Sequence, residues 1–139
     1  SRYVFANENT EIRLGQIDML GPFEVVDTDQ ALFLKMRVEG PAVDALLLYR
    51  GTADLWREGL QLGAPLSPPP EPPIRGWTVQ PGTEARQKIP LRKGQYYVVV
   101  DNSAAVGVVN PPWNLLGMVG GGAAVVSYSA ELGEADDDF

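Results

Sequence analysis

The 139-residue chain contains neither cysteine nor histidine. Without cysteine there is no disulfide, no thiolate nucleophile and no thiolate metal site. Without histidine the commonest general base, the usual orienting partner of a serine nucleophile and the commonest imidazole ligand are also missing. Most catalytic triads and most zinc sites are thereby excluded. Positive charge is scarce as well: 11 basic against 18 acidic residues leave a net charge of -7. Such a surface is a poor match for phosphates, which are held by clustered Lys and Arg, so nucleic acid is not an expected partner. No apolar run approaches the roughly 18 residues that a spanning helix needs, so no membrane span is expected. The chain opens at Ser1 with no charged n-region or apolar h-region, as expected if a signal was removed or if none existed.

What the chain has in quantity is punctuation. Fifteen glycines and 12 prolines within an otherwise ordinary 45% hydrophobic composition point to short strands joined by turns. The strongest strand is Tyr96 to Val100, five β-branched or aromatic residues between Gly94 and the turn-forming Asp101, Asn102 and Ser103. Tyr96, Val98 and Val100 point one way and Tyr97 and Val99 the other, so both faces require cover and the strand belongs in the middle of a sheet. Ala31 to Val38 alternates more plainly. Leu32, Leu34 and Met36 form its core face, and Phe33, Lys35 and Arg37 a face mostly toward solvent. Val43 to Tyr49 again looks covered on both sides.

Further strands are expected over Glu11 to Met19, with a bulge near Gly15 and Gln16, and over Phe23 to Val26 after a Gly21-Pro22 turn. Two more fall at Thr83 to Leu91 and Ala123 to Leu132. Thr52 to Leu62 is the one helix candidate, capped by Thr52 or Asp54, with Leu55, Trp56, Leu60 and Leu62 spaced for one side and Gly63 to end it. The fold expected is all-β: an antiparallel, jelly-roll-like sandwich of about eight strands with at most one short helix near residues 52–62.

A polar lead-in at residues 1–10, a single domain at 11–132 and an acidic, disordered tail at 133–139 complete the expected organisation. Pro65 to Pro73 holds six prolines and cannot enter a sheet interior, because proline lacks the ladder N–H. It reads as a stiff surface connection, or as a polyproline ligand for an aromatic groove on a partner, with Arg75 as its basic flank.

The remaining chemistry is that of oxygen. Glu8 with Glu11 and Asp27 with Asp29 are close carboxylate pairs in expected turns or lead-in, where solvated carboxylates are the rule; no catalytic residue is assigned. Calcium accepts carboxylate and carbonyl ligands, which makes Asp27, Asp29 and Asp101 its candidates, although Asp101 and Asn102 also suit a self-bonded turn. No other cofactor is implied. Gly117, Gly120, Gly121 and Gly122 lack the Lys-Ser/Thr ending and the helix start of a phosphate loop. Arg86, Lys88, Arg92 and Lys93 read as the wet face of a strand. Trp56, Trp77 and Trp113 all fall beside expected loops, where they either plug the sandwich ends or, exposed with the prolines around Pro68 and Pro111, bind protein or glycan.

The phrase Pro90-Leu-Arg-Lys-Gly-Gln-Tyr-Tyr-Val-Val-Val-Asp-Asn-Ser103 resembles the late-strand signature of jelly-roll sandwiches of the GOLD type and of bacterial pre-peptidase C-terminal-like domains. Val43 to Leu48 followed by Tyr49, Leu55 and Trp56 is similar to their strand and aromatic-tryptophan segment, and Ala124-Val-Val-Ser-Tyr128 to their closing strand. The proline segment and the long loop after Asn102 depart from that pattern. The resemblance implies a non-enzymatic accessory domain, exported or at the bacterial cell envelope, that contacts a protein partner. On this reading the loops at Leu62 to Trp77 and Val106 to Gly122 carry the contact, with Trp56, Trp77, Trp113 and Arg75 as binding residues. Two alternatives stand beside it: a carbohydrate-binding domain with tryptophan platforms, and a filament or coat subunit that self-associates by strand addition.

Overall fold

The computed structural model describes residues 2–111 and 122–139; Trp113 and the glycines at 117, 120 and 121 lie outside the described residues. Eight strands and one helix follow in the order β1 (Tyr3–Ile12), β2 (Gln16–Val25), β3 (Gln30–Glu39), β4 (Val43–Tyr49), α1 (Arg50–Gln61), β5 (Arg75–Val79), β6 (Ala85–Leu91), β7 (Gly94–Asn102) and β8 (Ala124–Glu134). They form two four-stranded antiparallel sheets, ordered β1-β8-β3-β6 and β2-β7-β4-β5. The pairs β1 with β8, β2 with β7, β3 with β6 and β4 with β5 are those of one long hairpin rolled upon itself, which is the jelly-roll arrangement. One open side of the sandwich is flanked by β1 and β2, the other by β5 and β6.

The Tyr96–Val100 segment lies inside the second sheet, as its doubly apolar pattern demands. Tyr96, Val98 and Val100 enter the core between the sheets with Leu32, Leu34, Met36 and Leu47. Tyr97 and Val99 join Leu46, Leu48, Ala53, Trp56 and Val106 in a second cluster on the outer face. The helix α1 crosses this face and buries Thr52, Ala53 and Trp56. It starts two residues earlier than its sequence signals suggest and has no side-chain cap. Thr52 instead donates to Glu71 at 3.2 Å, and Asp54 pairs with Arg50 at 3.3 Å. Leu55 and Leu62 point to solvent, since Ala53 and Trp56 already fill the seam against the sheet.

Four expectations are corrected. The polar residues 3–10 are part of β1 and not a lead-in. As an edge strand pairing only with β8, β1 tolerates the polar run Asn7 to Glu11 between Tyr3–Ala6 and Ile12, and that run disguises it. The slip near Gly15 is a break where the chain passes from one sheet to the other, with Gly15 at φ 83°. Gly21 and Pro22 do not turn the chain; they form an irregularity inside β2, between the pairs Leu20–Val98 and Phe23–Tyr96. Gly21 has φ 132°, and a Cβ there would stand 3.1 Å from the Tyr96 carbonyl oxygen, so a side chain is excluded by both conformation and space.

The acidic tail is the fourth. β8 runs through Glu134, the Asp137 carbonyl accepts from Lys88 Nζ at 2.6 Å, and Phe139 meets Phe33 edge to face at 5.3 Å. With Arg2 also over its ring at 4.6 Å, Phe33 is fully buried on a face expected to be wet. No helix among the described residues is long and apolar enough to cross a membrane.

Candidate functional site

Among the described residues, those singled out from the sequence do not converge. Trp56 is 5% exposed and spends its indole N–H on the Ser67 carbonyl at 3.1 Å, which fastens the proline segment to α1. Trp77 lies on β5, half-buried against the core between the sheets, and its indole N–H has no acceptor among the described residues. Arg75, exposed on β5, donates to the Lys88 carbonyl at 3.3 Å and so bridges the two sheets across their β5–β6 side. Asp27 and Asp29 sit exposed in the β2–β3 connection, where Asp29 adopts φ 57°, a left-handed conformation that Asp tolerates. They lie near the Gly94 end of β7, since Val25 pairs with Gly94, whereas Asp101 is seven residues further along, about 23 Å at the usual strand rise. The three calcium candidates are therefore not one site.

Carboxylates do gather elsewhere. Oxygens of Glu134, Asp136 and Asp137 come within 4.8 Å of one another and are the described side chains best placed to hold a cation. They are largely exposed, as solvated acidic groups commonly are, and no buried ligand stands behind them.

The arrangement that sequence reasoning missed lies beneath the loop after β7. Asp44 on β4 stands opposite Asp101 on β7, both on the outer face of the sheet and both at most 1% exposed. Asp44 accepts from Thr78 Oγ1 at 3.1 Å and, through Oδ2, from the Val109 backbone N–H at 2.9 Å. Asp101 Oδ1 accepts from Ser103 Oγ at 2.6 Å, and Ser103 Oγ in turn accepts from the Ala105 N–H at 3.2 Å. Loop 103–111 is thus tied to two buried carboxyl groups at its start and near its end.

Burial pushes the Asp101 carboxyl up to about 6, the Ser103 hydrogen bond works against this, and the charge of Asp44 adds to it. Asp101 Oδ2 is buried with no hydrogen-bond partner among the described residues, so nothing at that oxygen offsets the cost of ionising it beside Asp44. The pair holds the loop, and both carboxyls are closed off from solvent. The sequence signal for Asp44 was its position as the one charged residue within the apolar run Val43 to Tyr49.

No protein-family model and no curated protein matches the chain.

Above the carboxyl pair the loop presents Val108, 83% exposed, beside a cleft of about 370 Å³ lined by Ala42, Thr78, Gln80, Val109, Asn110 and Pro111. Gly107 precedes it, and a Cβ at that position would be driven into the Asp44 carboxylate. Gly107→Ala is therefore expected to lift the loop from Asp44, lowering the hydrogen-exchange protection of the Val109 amide at a global cost of about 1 to 3 kcal/mol. Unchanged protection would show that the loop is held by other contacts.

Proposed function

We propose that this jelly-roll sandwich is a non-catalytic binding module that presents loop 103–111 and the adjoining cleft to a protein partner. The observation that carries the reading is the anchoring of Val109 N–H on buried Asp44, which leaves Val108 and its cleft held in place on a rigid sheet. An apolar side chain already fixed in a protruding position loses little conformational freedom on association, and that is where affinity is gained. The proline segment is fastened in the same manner, through Trp56 to Ser67 and Thr52 to Glu71. The setting at the bacterial cell envelope or outside the cell, and kinship with GOLD-type or pre-peptidase C-terminal-like domains, rest on the sequence resemblance.

The rival readings draw less support. Among the described residues neither Trp56 nor Trp77 lines any of the five clefts, so these two supply no platform for a glycan. Self-association by strand addition has an unpaired outer edge on β1 to work with, but that strand carries Glu8 and Glu11 and an irregularity at Phe5, features that discourage edge pairing.

The test is affinity capture with the intact chain and with Val108→Asp, followed by titration of the captured protein. A charge on this side chain is expected to weaken the partner at least about tenfold while unfolding stability changes by less than about 0.5 kcal/mol. Equal affinity would remove the loop from the proposal. Deleting Pro65 to Pro73 is a poorer test, because it would remove Leu66 and Ser67 and so uncover Trp56. Exchanging the exposed Pro68, Pro70 and Pro72 for alanine probes that segment without opening the core.

A further inference from the structure

On the opposite side of the sandwich, between β1 and β2, a pocket of about 270 Å³ runs inward between the sheets. Its walls are Phe5, Leu20, Phe23, Leu34, Val98 and Ala130. Two local irregularities create it. In β1 the register shifts between Val4 and Ala6, so that Phe5 is an extra residue whose ring turns inward and stacks on Phe23 at 5.0 Å. In β2 the register shifts between Leu20 and Phe23, and the two residues responsible, Gly21 and Pro22, also line the pocket. Bulges on both edge strands at one level part the lips of the sandwich. Behind them Ala6 and Ala130 pair across β1 and β8, too small to fill the space that opens.

The polar groups at this pocket are of one sign. Glu8 stands opposite Tyr128, whose hydroxyl donates to Glu8 Oε2 at 2.9 Å. Burial, the Glu8 hydrogen bond and the charges of Glu8 and Asp18 push the Tyr128 hydroxyl up to about 12, so it stays a neutral donor at any physiological pH. Asp18, which accepts from Thr10 Oγ1 at 2.6 Å, acts on the Tyr128 hydroxyl through its charge and is not part of the pocket wall. No cationic side chain lines the pocket, and among the described residues Glu8 takes part in no ion pair.

An apolar, partly aromatic interior with the Glu8 carboxylate on its wall calls for the complementary ligand. From this the geometry points to a second binding site for a small primary ammonium compound with a compact apolar or aryl body, the body between Phe5, Phe23 and Ala130 and the ammonium on Glu8. A lysine side chain of a peptide shares that chemistry.

The test is a titration of the isotope-labelled chain, followed by NMR, with phenethylamine, its neutral isostere 2-phenylethanol and the anionic 3-phenylpropionate. Saturable shifts are expected at Phe5, Leu20, Tyr128 and Ala130, with the ammonium bound about tenfold tighter than the alcohol and the anion weakest. Glu8→Gln, on an exposed position, is expected to abolish that tenfold preference and leave the alcohol unaffected. Ala6→Leu, which fills the pocket from the edge strand, should remove binding of both while the spectrum stays dispersed. Val108→Asp, on the far side, should change none of this. Nα-acetyl-lysine methylamide serves as a further arm: binding comparable to phenethylamine assigns the site to a peptide side chain, and weaker binding assigns it to free amines. Absence of saturable shifts, equal binding of the anion, or an unchanged preference in Glu8→Gln would each overturn the assignment.

Discussion

Replacing Asn102 by alanine is expected to lower the unfolding free energy by about 3 kcal/mol and the melting temperature by about 10 °C. Asn102 is fully buried at the end of β7. Its side-chain NH2 donates to the Ile12 carbonyl at 2.9 Å and to the Gly122 carbonyl at 2.6 Å, and its own backbone carbonyl accepts from Gly15 N–H at 2.7 Å. One residue of the second sheet thereby ties down the end of β1, the start of β8 and the corner where the chain changes sheets. Alanine leaves two buried carbonyls without a donor, each costing about 1 to 3 kcal/mol, and relieves only the unpartnered Asn102 Oδ1. Asn102→Asp separates this hydrogen-bonding account from one of mere volume. Aspartate has the same shape but would aim a carboxylate at two carbonyl oxygens, so it should be at least as damaging as alanine at pH 7 and milder at pH 4, where a protonated acid restores one donor. Urea unfolding of the three proteins at both pH values checks this; an aspartate variant as stable as wild type at pH 7 would sink it.

The same residue shows how far the sequence could be read. The strands with strict patterns were legible: Tyr96–Val100 as a doubly covered central strand, Val43–Tyr49 likewise, and Ala31–Val38 with Leu32, Leu34 and Met36 inward, because burial on a pleated surface imposes period two. Edge strands were not. β1 is satisfied by pairing with β8 on one side and by polar partners such as Tyr128 and Asp18, so its middle, Asn7 to Glu11, carries no apolar residue to mark it as strand. Asp101 and Asn102 suited a self-bonded turn, and a sequence cannot show that both lie inside the sheet under a returning loop. Their partners, Asp44, Ile12 and Gly122, are 57, 90 and 20 residues away in the chain and become neighbours only once the long hairpin has rolled up. The pocket at β1 and β2 was hidden for the same reason, as its irregularities are properties of paired strands. Only the glycine and proline at 21 and 22, set inside an otherwise strand-like stretch, hinted at it.

Asp101→Asn is expected to stabilise the protein by about 2 to 3 kcal/mol at pH 7.5 and to leave it nearly unchanged at pH 4. The direction follows from the buried pair. Asp101 has its carboxyl raised from 3.8 to about 6 in the folded state, so between these values the native chain binds more protons than the unfolded one. Its contribution to stability is complete below about pH 4 and is lost as the pH rises through 6. Asparagine copies the protonated acid at all pH values, since its NH2 can donate to Asp44 and its oxygen can accept from Ser103. Other carboxyl groups titrate in the same range, and Glu84, lowered by its hydrogen bond to Arg86, contributes with the opposite slope. These are common to both proteins and cancel in the difference. The difference in unfolding free energy should therefore grow from near zero at pH 4 to its full size by pH 7.5, and a flat difference, or a variant weaker than wild type at pH 7.5, would show that burial does not raise the Asp101 carboxyl. Asp44→Asn supplies the cross-check. It removes the neighbouring charge but not the burial, so the Asp101 carboxyl resonance should titrate at a lower pH than in wild type while staying above the ordinary aspartate value. Because Asp44 also anchors Val109, repulsion between two ionised carboxyls would loosen the loop that carries Val108, and protection of the Val109 amide in the wild-type chain should decline through the same interval.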